Sequence, residues 1–194
     1  MDISIEAFLP TIYGSLYIHS FPNPDNSYAP NLVLVSGDLN KLTNPMVRLH
    51  SECLTGDVFG SLRCDCGTQL KTSLEKIAEQ GGVLLYMRQE GRGIGLHNKI
   101  EAYHMQDEGM DTVQANEALG FEPDLRNYDQ AIEILNHFGL KSIRLLTNNP
   151  GKVTALKNAG IIITERIPLI SPYNDYNKDY INTKREKLGH LFPE

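Results

Sequence analysis

The chain has 194 residues, 41% of them hydrophobic and 22% charged; this suffices for one domain with a sizeable core and excludes a stapled miniprotein, a coiled coil and a disordered chain. Eighteen Lys and Arg stand against 24 Asp and Glu, a formal net charge of −6, which argues against a broad basic surface for nucleic acid and makes any phosphate site local. No apolar run approaches the roughly 20 residues of a membrane span, and the start M-D-I-S-I-E lacks the basic and apolar parts of a signal peptide. The expectation is a cytoplasmic protein without a membrane partner. No repeat or Pro/Gly/Ser-rich linker interrupts residues 1–194, so a single domain is expected.

The first forty residues alternate apolar runs, Ser15 to Ile18 and Leu32 to Val35, with a turn signal from Phe21 to Asn26. This predicts short antiparallel strands, and Val47 to His50 is read as continuing that sheet. From Thr68 the period changes: Leu70, Leu74, Ile77 and Ala78 recur at helical spacing until Gly81-Gly82 stops the helix. Val83 to Met87 follows as a buried strand. Ile143 to Leu146 is a second apolar run, leading into Thr147-Asn148-Asn149-Pro150, where Asn149 caps a helix with Pro150 in its first turn. That helix ends at Gly160, and Ile161-Ile162-Ile163 opens another strand. The last helix, roughly Asp179 to His190, is highly charged and reads as a surface cover. Together these elements predict a three-layer α/β/α domain with a mixed sheet, antiparallel in its N-terminal part and parallel in its later strands. Ligands in such sheets collect beyond the carboxyl ends of the strands, where the Arg88 to Gly95 and Thr147 to Lys152 loops fall.

All three cysteines, Cys53, Cys64 and Cys66, lie in one stretch, which does not look like a secreted disulfide framework. Three thiolates without a fourth fit a catalytic zinc whose remaining position goes to water or substrate; His50 or His97 completing a closed structural site, and plain buried thiols, are the alternatives. Arg48-Leu49-His50-Ser51-Glu52 leads directly into Cys53. On an alternating strand Arg48, His50 and Glu52 share a face, and a solvated edge strand is the ordinary reading of such a pentapeptide. Gly91-Arg92-Gly93-Ile94-Gly95 is a glycine-rich turn whose amides suit an anion, with Glu90 as acceptor for N–H groups and Arg92 as a cation for phosphate. Its spacing misses the dinucleotide fingerprint, although Asp111 falls where a ribose-binding acid would stand. Thr147 and Lys152 offer a hydroxyl and an ammonium at another helix start. Asp124 and Arg126 flank one residue on a turn, which by default is a surface ion pair.

Taken together, the stretches R-L-H-S-E-C-L-T-G-D-V-F-G-S-L-R-C-D-C-G-T-Q-L from Arg48, R-Q-E-G-R-G-I-G-L from Arg88, A-Y-H-M-Q-D from Ala102 and L-L-T-N-N-P-G-K from Leu145 closely resemble GTP cyclohydrolase II, over nearly the whole chain. The resemblance implies a zinc-dependent hydrolysis of GTP to 2,5-diamino-6-(5-phosphoribosylamino)pyrimidin-4(3H)-one, formate and diphosphate, the first committed step of riboflavin biosynthesis. It implies one Zn2+ per subunit on Cys53, Cys64 and Cys66, with Mg2+ on the triphosphate. Arg48, Leu49, His50, Ser51, Glu52, Gln69, Glu90, Gly91, Arg92, Thr112, Thr147 and Lys152 would contact GTP, and Tyr103 would lie near the reacting ring. The family pattern makes Asp124 a proton acceptor and Arg126 a nucleophile toward the α-phosphorus. A guanidinium is essentially always protonated and lacks a free lone pair, so charge stabilisation is the chemically easier role for Arg126. Several relatives carry a second basic residue where this chain has Gly151, which weakens phosphate binding slightly. The resemblance further implies a homodimer, and at this length the monofunctional form. Three rival readings remain: a related hydrolase that stops at the formamidopyrimidine, a GTP-binding protein with a structural zinc, and a nicotinamide-dependent oxidoreductase resting on Asp111.

Overall fold

The computed structural model describes residues 5–24, 29–122 and 124–192. Seven strands form one sheet in the order β1-β2-β3-β5-β4-β6-β7. β1 (Ile5–Thr11), β2 (Gly14–Phe21) and β3 (Asn31–Ser36) form an antiparallel meander, and β3 pairs antiparallel with β5 (Gly82–Met87). β4 (Met46–Ser51), β6 (Ser142–Leu146) and β7 (Ile162–Ile167) complete the parallel half with β5. The expected antiparallel start and parallel continuation are both present. β4 does join the sheet, but as a parallel strand between β5 and β6 rather than as a continuation of the meander. Of the turn read at Phe21 to Asn26, residues 25 and 26 lie outside the described residues, as do residues 1–4 of the chain start.

Period-two alternation decides which side chains face which layer. Val33, Val35, Val47, Leu49, Val83, Leu85, Met87, Ile143 and Leu145 point to one face and pack against Ala131, Ile134 and Leu135 of α5 (Asp129–His137) and Leu156 of α6 (Pro150–Asn158). Leu16, Met46, Leu84 and Leu146 point to the other and meet Leu74 and Ile77 of α2 (Cys66–Gln80). This is a three-layer α/β/α domain. Among the described residues no helix is long and apolar enough to cross a membrane.

The order of strands creates the site. From β4 the chain passes through α2 to β5 on one side, and later lays β6 and β7 on the other side of β4. Connections leaving β4 and β6 in opposite directions open a crevice at the carboxyl ends of the parallel strands. Strands β4 and β5 approach closely at Gly82, whose φ is 146° and where a Cβ would lie 2.0 Å from the Met46 carbonyl oxygen. Gly82→Ala should therefore push β5 off β4 and cost about 3 kcal/mol or more, as other forced backbone shifts do. Urea denaturation checks this, and an unchanged midpoint would show that the two strands can separate without loss.

Candidate active site

A cleft open to solvent lies at the ends of β4, β5 and β6, and Arg48, Arg63, Arg92, Lys99, Arg126, Lys152 and Lys184 line it, against two carboxylates among the described residues, Glu52 and Glu90. The surplus of positive charge is concentrated here although the whole chain is acidic. Carboxylates just behind the wall compensate part of it. Lys99 pairs with Glu90 at 2.8 Å, Lys184 with Asp65 at 2.5 Å and Arg126 with Asp124 at 2.5 Å. Among the described residues Arg48, Arg92 and Lys152 have no such ion pair, and Arg48 Nε and Arg92 Nη1 are buried without any hydrogen-bond partner, as are Ser51 Oγ and Gln89 Oε1. Buried polar atoms of this kind are costly unless a ligand satisfies them.

At one end of the cleft the Sγ atoms of Cys53, Cys64 and Cys66 lie within 4.8 Å of one another. Cys53 precedes the single turn α1 (Leu54–Asp57), and Cys66 opens α2. The triangle closes because residue 56 has no side chain: a Cβ there would stand 2.9 Å from Cys64 Sγ and 3.3 Å from Cys53 Sγ. Lys99, from α3 (Gly95–Asp107), donates to Cys53 Sγ at 3.2 Å, to Thr55 Oγ1 at 3.0 Å and to Glu90 Oε1 at 2.8 Å. Hydrogen bonds from Cys64 and Cys66 hold the Cys53 thiol far below its ordinary range, against the effect of burial and with help from Lys99. The same bond to Cys53 pushes Cys64 up to about 11. Burial acts to discharge Lys99, but the charges of Cys53 and Glu90 outweigh it and raise its pKa. Thiolate character concentrated beside an ammonium is the condition in which cysteine sulfur binds a metal.

The floor is a continuous hydrogen-bonded chain. Arg48 donates to Gln69 Oε1 at 2.8 Å, to the Leu146 carbonyl at 3.1 Å and, at 3.4 Å, to His50 Nδ1. With Nδ1 accepting, His50 Nε2–H faces both oxygens of Asp57 at 3.0 Å. Burial, the dominant influence, lowers the pKa of His50 and favours this neutral tautomer. Asp57 also accepts from Tyr86 Oη at 2.8 Å and from the Cys53 amide at 3.0 Å.

Away from the sulfurs, Arg126 is held by Asp124 through two side-chain bonds and one from its own amide. Burial opposes the charge of Arg126, but the bond to Asp124 wins and raises its pKa. The guanidinium is therefore fixed as a cation. Lys152 is buried with its Nζ on the Leu49 carbonyl at 2.7 Å, and desolvation together with Arg48 and Arg126 drives its pKa well down. Arg92 sits at φ 61°, a left-handed conformation that strains a residue with a Cβ.

Of the residues singled out from the sequence, Arg48, His50, Ser51, Glu52, Gln69, Glu90, Gly91, Arg92, Tyr103, Thr112, Arg126, Thr147 and Lys152 line the cleft with Cys53, Cys64 and Cys66. The Leu49 side chain lies in the core on the opposite face of β4, and only its carbonyl reaches toward the cleft, through Lys152. Asp124 stands behind Arg126 rather than at the surface of the cleft. The carboxylate of Glu90 is taken up by Lys99, the Leu54 amide and the Gly91 amide. No histidine joins the cysteines among the described residues: His50 is committed to Asp57, and His97 is exposed beside Glu101. Asp111 caps α4 (Thr112–Ala118) and pairs with Lys187, which removes the basis for a ribose-binding acid and with it the oxidoreductase reading. Lys99, Asp57, Tyr86 and Lys184 were not picked out by sequence reasoning. Only Lys99, four residues beyond Gly95 on a helix adjoining the glycine turn, carried a local signal.

The crevice of this α/β protein brings three sulfurs that could hold a metal together with cations that have no ion-pair partner among the described residues. Residues 2–168 match the family model described as GTP cyclohydrolase II, and the chain belongs to that family. It is 53% identical over 191 residues to the riboflavin biosynthesis protein RibBA of Staphylococcus saprophyticus, covering 98% of this chain and 48% of that protein. It is 52% identical over 195 residues to the GTP cyclohydrolase-2 of Buchnera aphidicola, covering 100% of both, and 51% identical over 188 residues to that of Picrophilus torridus, covering 96% and 97%. The chain spans about half the length of the RibBA relatives it matches.

A pH dependence follows from the buried His50 and the half-buried His190, with the buried His19 lowered as well. His190, desolvated and close to Lys184, Arg126 and Arg92, is pushed from 6.5 down to about 3, and His50 is also lowered. Below about pH 6.5 the unfolded chain binds more protons than the folded one, so stability falls with pH by up to about 1.4 kcal/mol per unit for each histidine. Denaturation midpoints should decline from about pH 7 to about pH 5, less steeply in His190→Gln; a flat profile over that window would mean that these imidazoles protonate freely in the fold.

Proposed function

We propose that this chain opens the imidazole ring of GTP by hydrolysis and releases diphosphate from the same substrate, yielding the diaminopyrimidine phosphoribosyl product and formate. The observation that carries the reading is the presence in one cleft of the cysteine triangle and of Arg48, Arg92 and Lys152, three cations without an ion-pair partner among the described residues. A guanine base beside a metal and a triphosphate beside cations would use these two environments.

The sulfurs suit zinc. They are three soft donors in a compact, partly buried triangle with no room for a side chain at residue 56, and a fourth position is left to the ligand side. Cys53, Cys64 and Cys66 would hold the ion, which when bound supplies Lewis-acid activation of water for the ring-opening step. Lys99 stabilises the thiolate form of Cys53, and Glu90 orients Lys99 while binding the Leu54 and Gly91 amides. Tyr103 Oη lies 3.3 Å from Thr55 Oγ1, which in turn accepts a hydrogen bond from Lys99 at 3.0 Å. This hydroxyl chain beside the sulfurs can deliver or accept a proton at the reacting ring. Ser51 Oγ and Gln89 Oε1, buried without protein partners, offer acceptors to base N–H groups.

At the phosphate end the chemistry is electrostatic. Arg126, kept charged by Asp124, stabilises negative charge on the α-phosphoryl group; the ion pair that fixes it as a cation argues against the nucleophile role. An anion beside Lys152 favours its charged form against the desolvation that lowers its pKa, and Arg92 directs its unpartnered Nη1 to the same task. Mg2+ enters as part of the substrate, bridging phosphate oxygens. The protein functions as a homodimer in the cytoplasm on this reading.

The test is to incubate the zinc-loaded protein with GTP and Mg2+, follow the ultraviolet spectrum and assay formate and diphosphate together. Both products support the reading; diphosphate without formate would reassign the chain to single hydrolysis, and neither product would leave a binding protein. Cys64→Ser should lose metal and ring opening together, and a metal-free variant with normal turnover would remove zinc from the mechanism. Arg126→Ala should lower kcat about 100-fold or more, with Arg126→Lys retaining a share because a cation remains. Equal loss in both would mean that the guanidinium does something a charge alone cannot.

A further inference from the structure

The match to the family model ends at residue 168, yet three residues beyond it, Tyr180, Lys184 and His190, line the cleft. They belong to an arm containing α7 (Lys178–Glu186). Five of the nine residues of α7 are charged, and the helix has one well-buried apolar anchor, Ile181. Such a helix cannot be held by hydrophobic burial alone. What holds it is a set of polar bonds to the walls of the site. Lys184, 6% exposed, reaches Asp65, 1% exposed, at 2.5 Å. Asp65 lies between two of the three cysteines and also accepts from Gln69 at 2.6 Å, which ties the arm to the floor through Arg48. At the root and tip of the arm Asn148, itself in the cleft wall, binds Leu169 through its side chain and the Leu191 amide through its carbonyl at 2.8 Å. The Tyr180 ring stands between two cations, 4.3 Å from Lys184 Nζ and 5.9 Å from the Arg92 guanidinium.

We propose that this arm, residues 169–192, is part of the nucleotide site: Tyr180 contacts the bound nucleotide, and Lys184 is a positioning residue whose ion pair with Asp65 latches the arm across the cleft. The proposal rests on the GTP reading above. The arm is anchored in the core by Leu169 and Ile181, but its other holds are polar and bridge residues 65, 92 and 148, so a ligand in the cleft would strengthen its docking. A charged pair buried at the latch gives it one position rather than many, since displacement would leave Asp65 unpaired in a dry environment.

Amide hydrogen exchange on the zinc-loaded protein, with and without the α,β-methylene analogue of GTP, reads the arm directly, alongside kcat, KM and zinc per chain for Tyr180→Ala and Lys184→Met. The analogue should slow exchange in residues 178–186 about tenfold or more, and each variant should raise KM about tenfold, change kcat less and keep its zinc. If Lys184→Met loses zinc or fails to fold, Tyr180→Ala, which leaves no charge buried, decides the matter. Unchanged exchange in α7 on binding the analogue, or KM within twofold of the unmodified chain in Tyr180→Ala, overturns the proposal. Turnover of GTP without protection of α7 defeats the arm alone; protection without formate defeats only the assigned reaction, and failure of the analogue to bind defeats both.

Discussion

The Asp57 carboxylate is the point on which the rest of the site depends. Its two oxygens take His50, Tyr86 and the amide of Cys53, so one buried group joins β4, β5 and the first of the three sulfurs. The parallel register that sets His50 opposite Tyr86 supplies two of those donors from adjacent strands. Charge-assisted bonds in a dry environment are strong, and removal of the acceptor would leave several donors stranded at once. The position of Cys53 is therefore inherited from the central sheet rather than from the short turn that follows it.

Positive charge in the cleft is distributed unevenly by design of the sequence. Lys99, Lys184 and Arg126 are balanced by Glu90, Asp65 and Asp124, and these pairs hold the walls. Arg48, Arg92 and Lys152 have no direct ion-pair partner among the described residues, and on the proposed reading a bound anion would supply one. Stability and binding therefore draw on different members of the same cluster. Burial of Lys152 illustrates this: its ammonium is discouraged by desolvation and by neighbouring arginines, the two influences a phosphate would reverse.

Much of this was legible in the chain. Apolar runs identified β5, β6 and the start of β7, helical spacing identified α2, and Asn149-Pro150 marked the start of α6 with the expected cap. The cysteines, the glycine turn and the Thr147 loop were all visible because chemistry and local geometry coincide within a few residues. Two kinds of feature were not. The place of β4 depends on pairing with strands 36 and 98 residues away, which no local pattern encodes. The charged helix α7 read as a solvated cover because composition records what a side chain is and not what it meets; Lys184 finds Asp65 across 119 positions. Asp124 and Arg126 form the ion pair that proximity predicted, with Asp124 on the exposed side and Arg126 in the wall of the cleft.

Strand β4 carries apolar and polar duties on opposite sides. Val47 and Leu49 fill the core beneath α5 and α6, while Arg48 and His50, one position out of phase, build the cleft floor. A slip of one residue in its pairing would turn an arginine and a histidine into hydrocarbon and present valine and leucine to the ligand. Such a chain would lose its packing and its chemistry in the same event. Folding quality control and catalytic competence are thus written into one alternation, and a misregistered molecule cannot persist as a well-folded but idle impostor.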